Sequence, residues 1–233
     1  VAWLPFAAKK YQVSPNIEDY VISVTPICPA DLPNRNGYGF PLHELTDFIP
    51  PPVARQAYKA WAGCPMHYEH DNEDFRKAIG IVLDSSLTKV KGYGNGALWK
   101  VMGLSAVDKT KEPDIAHAVA TKAIQTYSMG CDASEISCSY CGTRAQIVGI
   151  KNKTDPRTGA VIFDKKTGKP EKAPVYKTCS HINMDNDLDW YVLEDYEGKH
   201  LVYRNAHGLA PFEFSVVKDP AWTTACSDII LHS

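Results

Sequence analysis

Two short pairs of metal-ligand residues constrain the fold of this chain most strongly. Cys138 and Cys141 have C-x2-C spacing, and Cys179 and His181 follow after 37 intervening residues as C-x-H. A C-x2-C turn lets two thiolates share one tetrahedral ion, and three sulfurs with one imidazole nitrogen form a closed structural zinc set. We therefore expect a structural Zn²⁺ that brings both pairs to one point and leaves no open position for catalysis.

The other cysteines offer alternatives to this interpretation. Without a metal, the two pairs would be free thiols near the base of a hairpin. Cys131 is a substitute ligand or the nucleophile of a cysteine enzyme, but we predict that it follows the C-terminal end of a helix, where the dipole raises a thiol pKa. We expect no export signal, a reducing compartment, and Cys28, Cys64 and Cys226 packed as small apolar residues.

Hydrophobic patterning predicts many strands and few helices. The β-branched run 20–27 predicts a strand, and 78–90 with the segment after a glycine-rich turn predicts an antiparallel hairpin. The clearest helix is predicted over 112–127, which has an acidic first turn, Pro113 near its start and an apolar stripe. A second helix is predicted from about 52 to 62, after a proline triplet.

Composition limits the classes of partner. The formal charge of −2 provides no basic footprint for nucleic acid or an anionic membrane, and no apolar run approaches the ~20 residues that span a bilayer. We expect one domain over 1–233, with a metal-binding excursion inserted at 131–185. Its Lys-, Gly- and Pro-rich part, 151–177, predicts an exposed hairpin, and the metal would fix the base of this hairpin.

A Ser-Met-Gly sequence at 128–130 lies just before the cysteine pair. A serine nucleophile needs a histidine as base, and His67 and His70 lie in an acidic loop that would raise a histidine pKa. From these residues alone, Ser128 could equally be a helix-end serine beside a C-cap glycine, and the histidines could be surface or supporting residues.

Several segments, in this order, are similar to one family. They resemble the prohead (capsid maturation) serine proteases of tailed bacteriophages, especially of large myoviruses, which are related in fold to herpesvirus assemblin. The segments are NRNGYGFP (34–41), HYEHDNEDFRKAIGIVLD (67–84), YSMGCDASEISCSYCG (127–142) with CSHI (179–182), and FEFSVVKDPAWTTAC (212–226).

The resemblance implies a Ser-His-acid triad. It implies Ser128 as nucleophile, His70 as general base with His67 as the second choice, and Glu213 as the acid. Asp71 and Asp114 are weaker candidates for the acid, and no cofactor is implied for catalysis.

The resemblance also implies a fold, a substrate class and a location. The fold would be α+β, an antiparallel barrel-like sheet with a few surrounding helices and a zinc-tied hairpin insertion. The protein would be a serine endopeptidase that cleaves phage scaffold and capsid proteins, and itself, in the host cytoplasm inside the assembling prohead. It could form a homodimer or higher oligomer, with no nucleic-acid or membrane partner. The alternative function is a non-enzymatic zinc-containing scaffold or interaction protein of the virion.

Overall fold

One eight-stranded sheet carries the core of the protein. The structure is a computed structural model that describes residues 2–50, 54–90, 97–155, 158–164, 167–182, 190–222, 225–226 and 229–232. In these ranges the helices are α1 (Leu4–Tyr11), α2 (Leu42–Thr46) and α3 (Pro113–Ala120), with 3₁₀ turns at Ile17–Asp19, Ala57–Lys59 and Phe75–Lys77. The strands are β1 (Tyr20–Pro29), β2 (Tyr38–Gly39), β3 (Phe48–Ile49), β4 (Arg55–Gln56), β5 (Pro65–Tyr68), β6 (Gly80–Val90), β7 (Leu98–Asp108), β8 (Tyr127–Cys138), β9 (Gln146–Asn152), β10 (Lys172–Lys177), β11 (Tyr191–Asp195), β12 (Gly198–Val202), β13 (Arg204–Val216) and β14 (Ile229–His232).

The strand order is β14-β1-β7-β6-β5-β13-β2, and β8 pairs with β13 as well. The start of β8 also approaches the β14–β1 side of the sheet. Thr126 bridges Cys226 in the segment that leads to β14, and the hydroxyls of Ser23 in β1 and Tyr127 in β8 lie 3.3 Å apart. The prediction of a mainly β, mixed α+β chain is confirmed.

The long strand β13 is the exception to an antiparallel sheet. Its C-terminal residues pair with β5 in parallel, its first two residues pair with β2 in parallel, and its whole length pairs with β8 antiparallel. The expectation of a purely antiparallel sheet is therefore wrong at this strand.

Sequence patterning located the early strands well. The predicted strand over 20–27 lies within β1, and the predicted hairpin is the antiparallel pair β6–β7, with Val90 opposite Leu98. These segments alternate or concentrate β-branched residues and bury them against the core, which includes the fully buried Ile27.

The first of the two predicted helices is shorter than expected, and the second does not form over the described residues 54–62. The helix over 112–127 ends at Ala120, the chain turns at Lys122 with φ +59°, and Tyr127 already opens β8. Tyr127 is completely buried and stacks on Phe214 at 5.3 Å, so tertiary packing overrides local helix propensity there.

The helix from 52 to 62 is replaced by β4, a 3₁₀ turn and a buried tryptophan, Trp61. Residues 51–53 lie outside the described residues. The backbone amide of Ala57 donates to the carbonyl of Asp47 at 2.9 Å, which is a long-range bond that an α-helix would not form.

Close packing of two strands gives a first prediction. A Cβ added at Gly80 would lie 2.0 Å from the carbonyl oxygen of Ala106, which is backbone and cannot rotate away. We expect Gly80→Ala to lower the free energy of unfolding by about 1–3 kcal/mol, measured by urea denaturation. Gly149→Ala, where the nearest atom is 4.0 Å away, is the matched control. Equal stability of the two variants would contradict the prediction.

Candidate active site and metal centre

A row of polar side chains crosses three adjacent strands. Ser215 of β13 pairs with His67 of β5 on one side and with Ser128 of β8 on the other. Residues that are opposite each other in register project from the same face of a sheet, so these three side chains share one face. Their residues are 0%, 1% and 4% exposed, respectively, so the row is almost sealed from solvent.

Glu213 lies on this same face, two residues before Ser215, and is opposite Gly130. It is 1% exposed. Its Oε1 lies 2.5 Å from Nδ1 of His70, and its Oε2 accepts a hydrogen bond of 2.5 Å from the Ser215 hydroxyl. A buried carboxylate needs such partners, because an unpaired buried charge is strongly destabilising. Two neighbours therefore fix both oxygens of Glu213.

A tight turn brings His70 to Glu213. Glu69 and His70 have φ of +50° and +58°, and the amide of Asp71 donates to the carbonyl of Tyr68 at 3.0 Å. Two consecutive positive-φ residues in such a four-residue turn are uncommon outside Gly and Asn, and cost of order 1–3 kcal/mol each. The Glu69 carboxylate accepts the backbone amide of Lys218 at 3.0 Å, which ties the turn to the end of β13.

Glycine is required at position 130 for a steric reason. A Cβ there would lie 2.6 Å from Cγ of Glu213 and 2.6 Å from the ring of Phe212. The C-cap role that the sequence suggested for this glycine is wrong, because Gly130 lies inside β8 and makes room for the acid.

The two histidines differ in electrostatics. The hydrogen bond that the Glu213 carboxylate accepts from His70 raises the pKa of His70 above its ordinary value, whereas burial lowers the pKa of His67. His67 is not the surface residue that its loop composition suggested, and its buried Nδ1 has no hydrogen-bond partner among the described residues. Of the two histidines, His70 is the one whose Nδ1 contacts a carboxylate.

The structure brings some of the predicted catalytic residues together and separates others. His70 and Glu213 are hydrogen-bonded and Ser128 lies on their face of the sheet, but within the described ranges no hydrogen bond joins the Ser128 hydroxyl to either histidine. Asp71 instead pairs with Lys77 at 2.7 Å, and Asp114 lies exposed in the first turn of α3.

Ser215 is the site residue that the sequence reasoning missed. It lies at the next same-face position after Glu213, so strand alternation alone could have indicated it.

Cys131 is not at a helix end. It lies in β8, so the helix-dipole argument against its reactivity does not apply, but burial raises its pKa to about 12. A thiol with this pKa carries almost no thiolate at neutral pH, which disfavours a cysteine nucleophile.

The four predicted metal ligands do converge. One ligand atom from each of Cys138, Cys141, Cys179 and His181 lies within 4.8 Å of every other. Cys138 ends β8, and the amide of Gly142 closes the following turn onto the Cys138 carbonyl at 2.9 Å. A Cys3His cluster of this compactness could hold a metal ion, as the spacing predicted.

The donor chemistry fits a thiophilic ion. One ring nitrogen of His181 lies in the cluster, and its buried Nδ1 has no hydrogen-bond partner among the described residues. A hydrogen bond from Thr143 lowers the pKa of Cys141 to about 6, while burial raises that of Cys138 to about 11. A bound cation would favour the thiolate of both.

The excursion that this cluster closes is larger than predicted. Residues 131–138 remain paired with β13, so the chain leaves the sheet at Ser139 and returns at Arg204. We call residues 139–203 the excursion. It contains the antiparallel hairpins β9–β10 and β11–β12, of which the first matches the predicted hairpin. Its apolar cluster is small: among the described residues it consists of the buried Ile182 and Val202 together with Cys138 at the end of β8.

Comparison with protein-family models, curated proteins and solved structures found no match to this chain. No helix in the described part of the chain has the length and apolar character needed to cross a membrane.

Loss of one ligand tests the metal centre. We expect wild-type protein to retain about one tightly bound zinc ion per chain after dialysis, and Cys179→Ser to retain almost none. Because the excursion buries so few apolar side chains, the variant should be cleaved there by trypsin much faster, while the main sheet keeps its circular-dichroism signal. Cys226→Ser, which removes a thiol outside the cluster, is the control. Full zinc retention by Cys179→Ser would contradict the assignment.

Proposed function

We propose that this protein is a serine endopeptidase that uses Ser128, His70 and Glu213. The observation that carries the proposal is the 2.5 Å contact between Nδ1 of His70 and the buried carboxylate of Glu213 on the face that also bears Ser128. An acid held against one imidazole nitrogen, with a serine beyond the other, is the arrangement on which Ser-His-acid hydrolases depend.

The residues have distinct roles in this mechanism. The Glu213 carboxylate accepts a hydrogen bond from Nδ1–H of His70, which selects the tautomer whose Nε2 lone pair is free. Nε2 takes the Ser128 hydroxyl proton as Oγ attacks a peptide carbonyl, and then gives that proton to the leaving amine. Water activated by the same nitrogen hydrolyses the acyl-enzyme, and Ser128 regains its proton. The step requires Nε2 of the partly exposed His70 to reach the Ser128 hydroxyl, and catalytic hydrogen bonds of this kind often form only with substrate bound.

The resemblance to prohead proteases supports the biological setting. On that basis the substrates are phage scaffold and capsid proteins, and the enzyme itself, in the assembling prohead. The zinc-tied excursion would be a structural insertion between the strand that carries the nucleophile and the strand that carries the acid.

A non-enzymatic interaction protein of the virion is the second candidate. The excursion favours it, because its hairpins expose large apolar side chains such as Ile150, Phe163 and Tyr196, which are 73%, 55% and 94% exposed. Exposed apolar surface of this kind marks contact sites. The two candidates make opposite predictions for Ser128.

Replacement of the nucleophile separates them. We expect Ser128→Ala to abolish cleavage of the capsid and scaffold proteins of the cognate phage, with a loss of about 10⁴-fold or more, and to leave folding intact. Product ends are read by mass spectrometry, and Ser134→Ala, at an exposed position of the same strand, is the control. Equal cleavage by Ser128→Ala and wild type would reject the enzyme, and absence of cleavage by every form would favour the interaction protein.

The pH profile tests the acid. The base must be neutral to accept a proton, so activity should fall as the pH drops through the pKa of His70, which Glu213 raises. Glu213→Gln removes the negative charge, so the acid limb of kcat/KM should move to lower pH while kcat falls by about 10⁴-fold. An acid limb that is unchanged in Glu213→Gln would assign the titration to another group.

A further inference from the structure

A second cluster of ligand-type side chains lies away from both sites above. His43 and Glu44 are consecutive residues of α2, and His207 lies on β13. One nitrogen or oxygen from each lies within 4.8 Å of the other two. Oε1 of Glu44 is 2.7 Å from Nδ1 of His207 and 3.7 Å from Nε2 of His43.

Further hydrogen bonds orient two of these side chains. The other ring nitrogen of His207, Nε2, lies 2.7 Å from the hydroxyl of Ser137, and the other oxygen of Glu44 accepts the amide of Gly208 at 3.0 Å. Metal-bound histidines typically have their second nitrogen held in this way, which fixes the ring and the tautomer. These contacts hold Nδ1 of His207 and Oε1 of Glu44 next to each other, on the side where His43 lies.

The geometry points to a second metal site, a surface site for a borderline divalent transition-metal ion such as Zn²⁺ held by His43, Glu44 and His207. Two imidazoles and one carboxylate suit Zn²⁺ or Co²⁺ and not the oxygen-seeking Mg²⁺ or Ca²⁺. Bonds of about 2.0–2.2 Å in a tetrahedron place ligand atoms about 3.3–3.6 Å apart. The observed 2.7 Å and 3.7 Å separations bracket this range, so small side-chain rotations suffice.

The exposure of the ligands gives the site its character. The side chain of His43 is 67% exposed, whereas those of Glu44 and His207 are 17% and 16% exposed. The packing of the fold thus holds Glu44 and His207 in place, whereas His43 would bind the ion from the solvent-exposed side. Three protein ligands leave the fourth position to water or to an incoming ligand, unlike the closed Cys3His cluster.

The same contacts link Ser137, His207 and Glu44 in a chain, with the hydroxyl on one ring nitrogen and the carboxylate on the other. The hydroxyl thus holds the nitrogen that faces away from the proposed ion, which is the position of a supporting partner behind a metal ligand.

Cobalt titration of zinc-loaded protein tests the site. With the Cys3His cluster first filled by zinc, we expect Co²⁺ to bind at about one ion per chain with ligand-field absorption and without a thiolate charge-transfer band. His43→Ala should weaken this binding at least ~10-fold, and Ser137→Ala should weaken it about 10–100-fold as the loss of an outer-shell partner. His117→Ala, an exposed histidine of α3, should bind like wild type.

Several results would overturn the proposal. These are absence of Co²⁺ binding to the zinc-loaded wild type, equal affinity in His43→Ala, and a spectrum with thiolate charge transfer, which would show exchange at the cysteines instead. Unchanged affinity in Ser137→Ala would overturn the assigned role of its hydroxyl. Because His43 is largely exposed, its replacement should leave the fold unchanged, and circular dichroism of each variant checks this.

Discussion

The pairing of β13 with a neighbour on each side is the constraint on which the rest of the structure depends. Hydrogen bonds to β8 and β5 bring together residues that are distant in sequence, and they set which side chains share a face. The burial of Glu213 follows from this arrangement and is tolerated because His70 and Ser215 each bind one of its oxygens. A shift of one residue in the register would turn Glu213 to the opposite face and end both contacts.

The same two strands anchor the excursion. It leaves from the C-terminal end of β8 and returns at the start of β13, and these two ends are paired with each other. The base of the excursion is therefore held by the hydrogen bonds between β8 and β13. The excursion buries few apolar side chains of its own, and a metal at the Cys3His cluster would replace that missing core. Ser137 and Cys138 are adjacent in β8. Ser137 orients His207 of the proposed second metal site, and Cys138 is a ligand-type residue of the Cys3His cluster, so the two sites are neighbours along this strand.

Local patterning predicted elements where burial and propensity agree. The strand β1 and the hairpin β6–β7 are examples, because their β-branched residues face the core. The prediction failed where a distant partner decided the outcome. The helix that was expected to reach Tyr127 stops early because that ring stacks on Phe214, which lies 87 residues further along the chain. The parallel pairing of β13 with β5 was equally invisible to periodicity.

The sequence by itself determined the ligand types of the Cys3His cluster, because three thiols and an imidazole in short pairs restrict the chemistry whatever the fold. It also determined which residue types were present for a serine, a histidine and an acid. Only the tertiary structure decided that His70 and not His67 contacts Glu213, that Ser215 holds the other carboxylate oxygen, and that Gly130 makes room for it. Those choices depend on register and on a turn with two positive-φ residues, which set distances of a few ångströms between residues that the sequence separates widely.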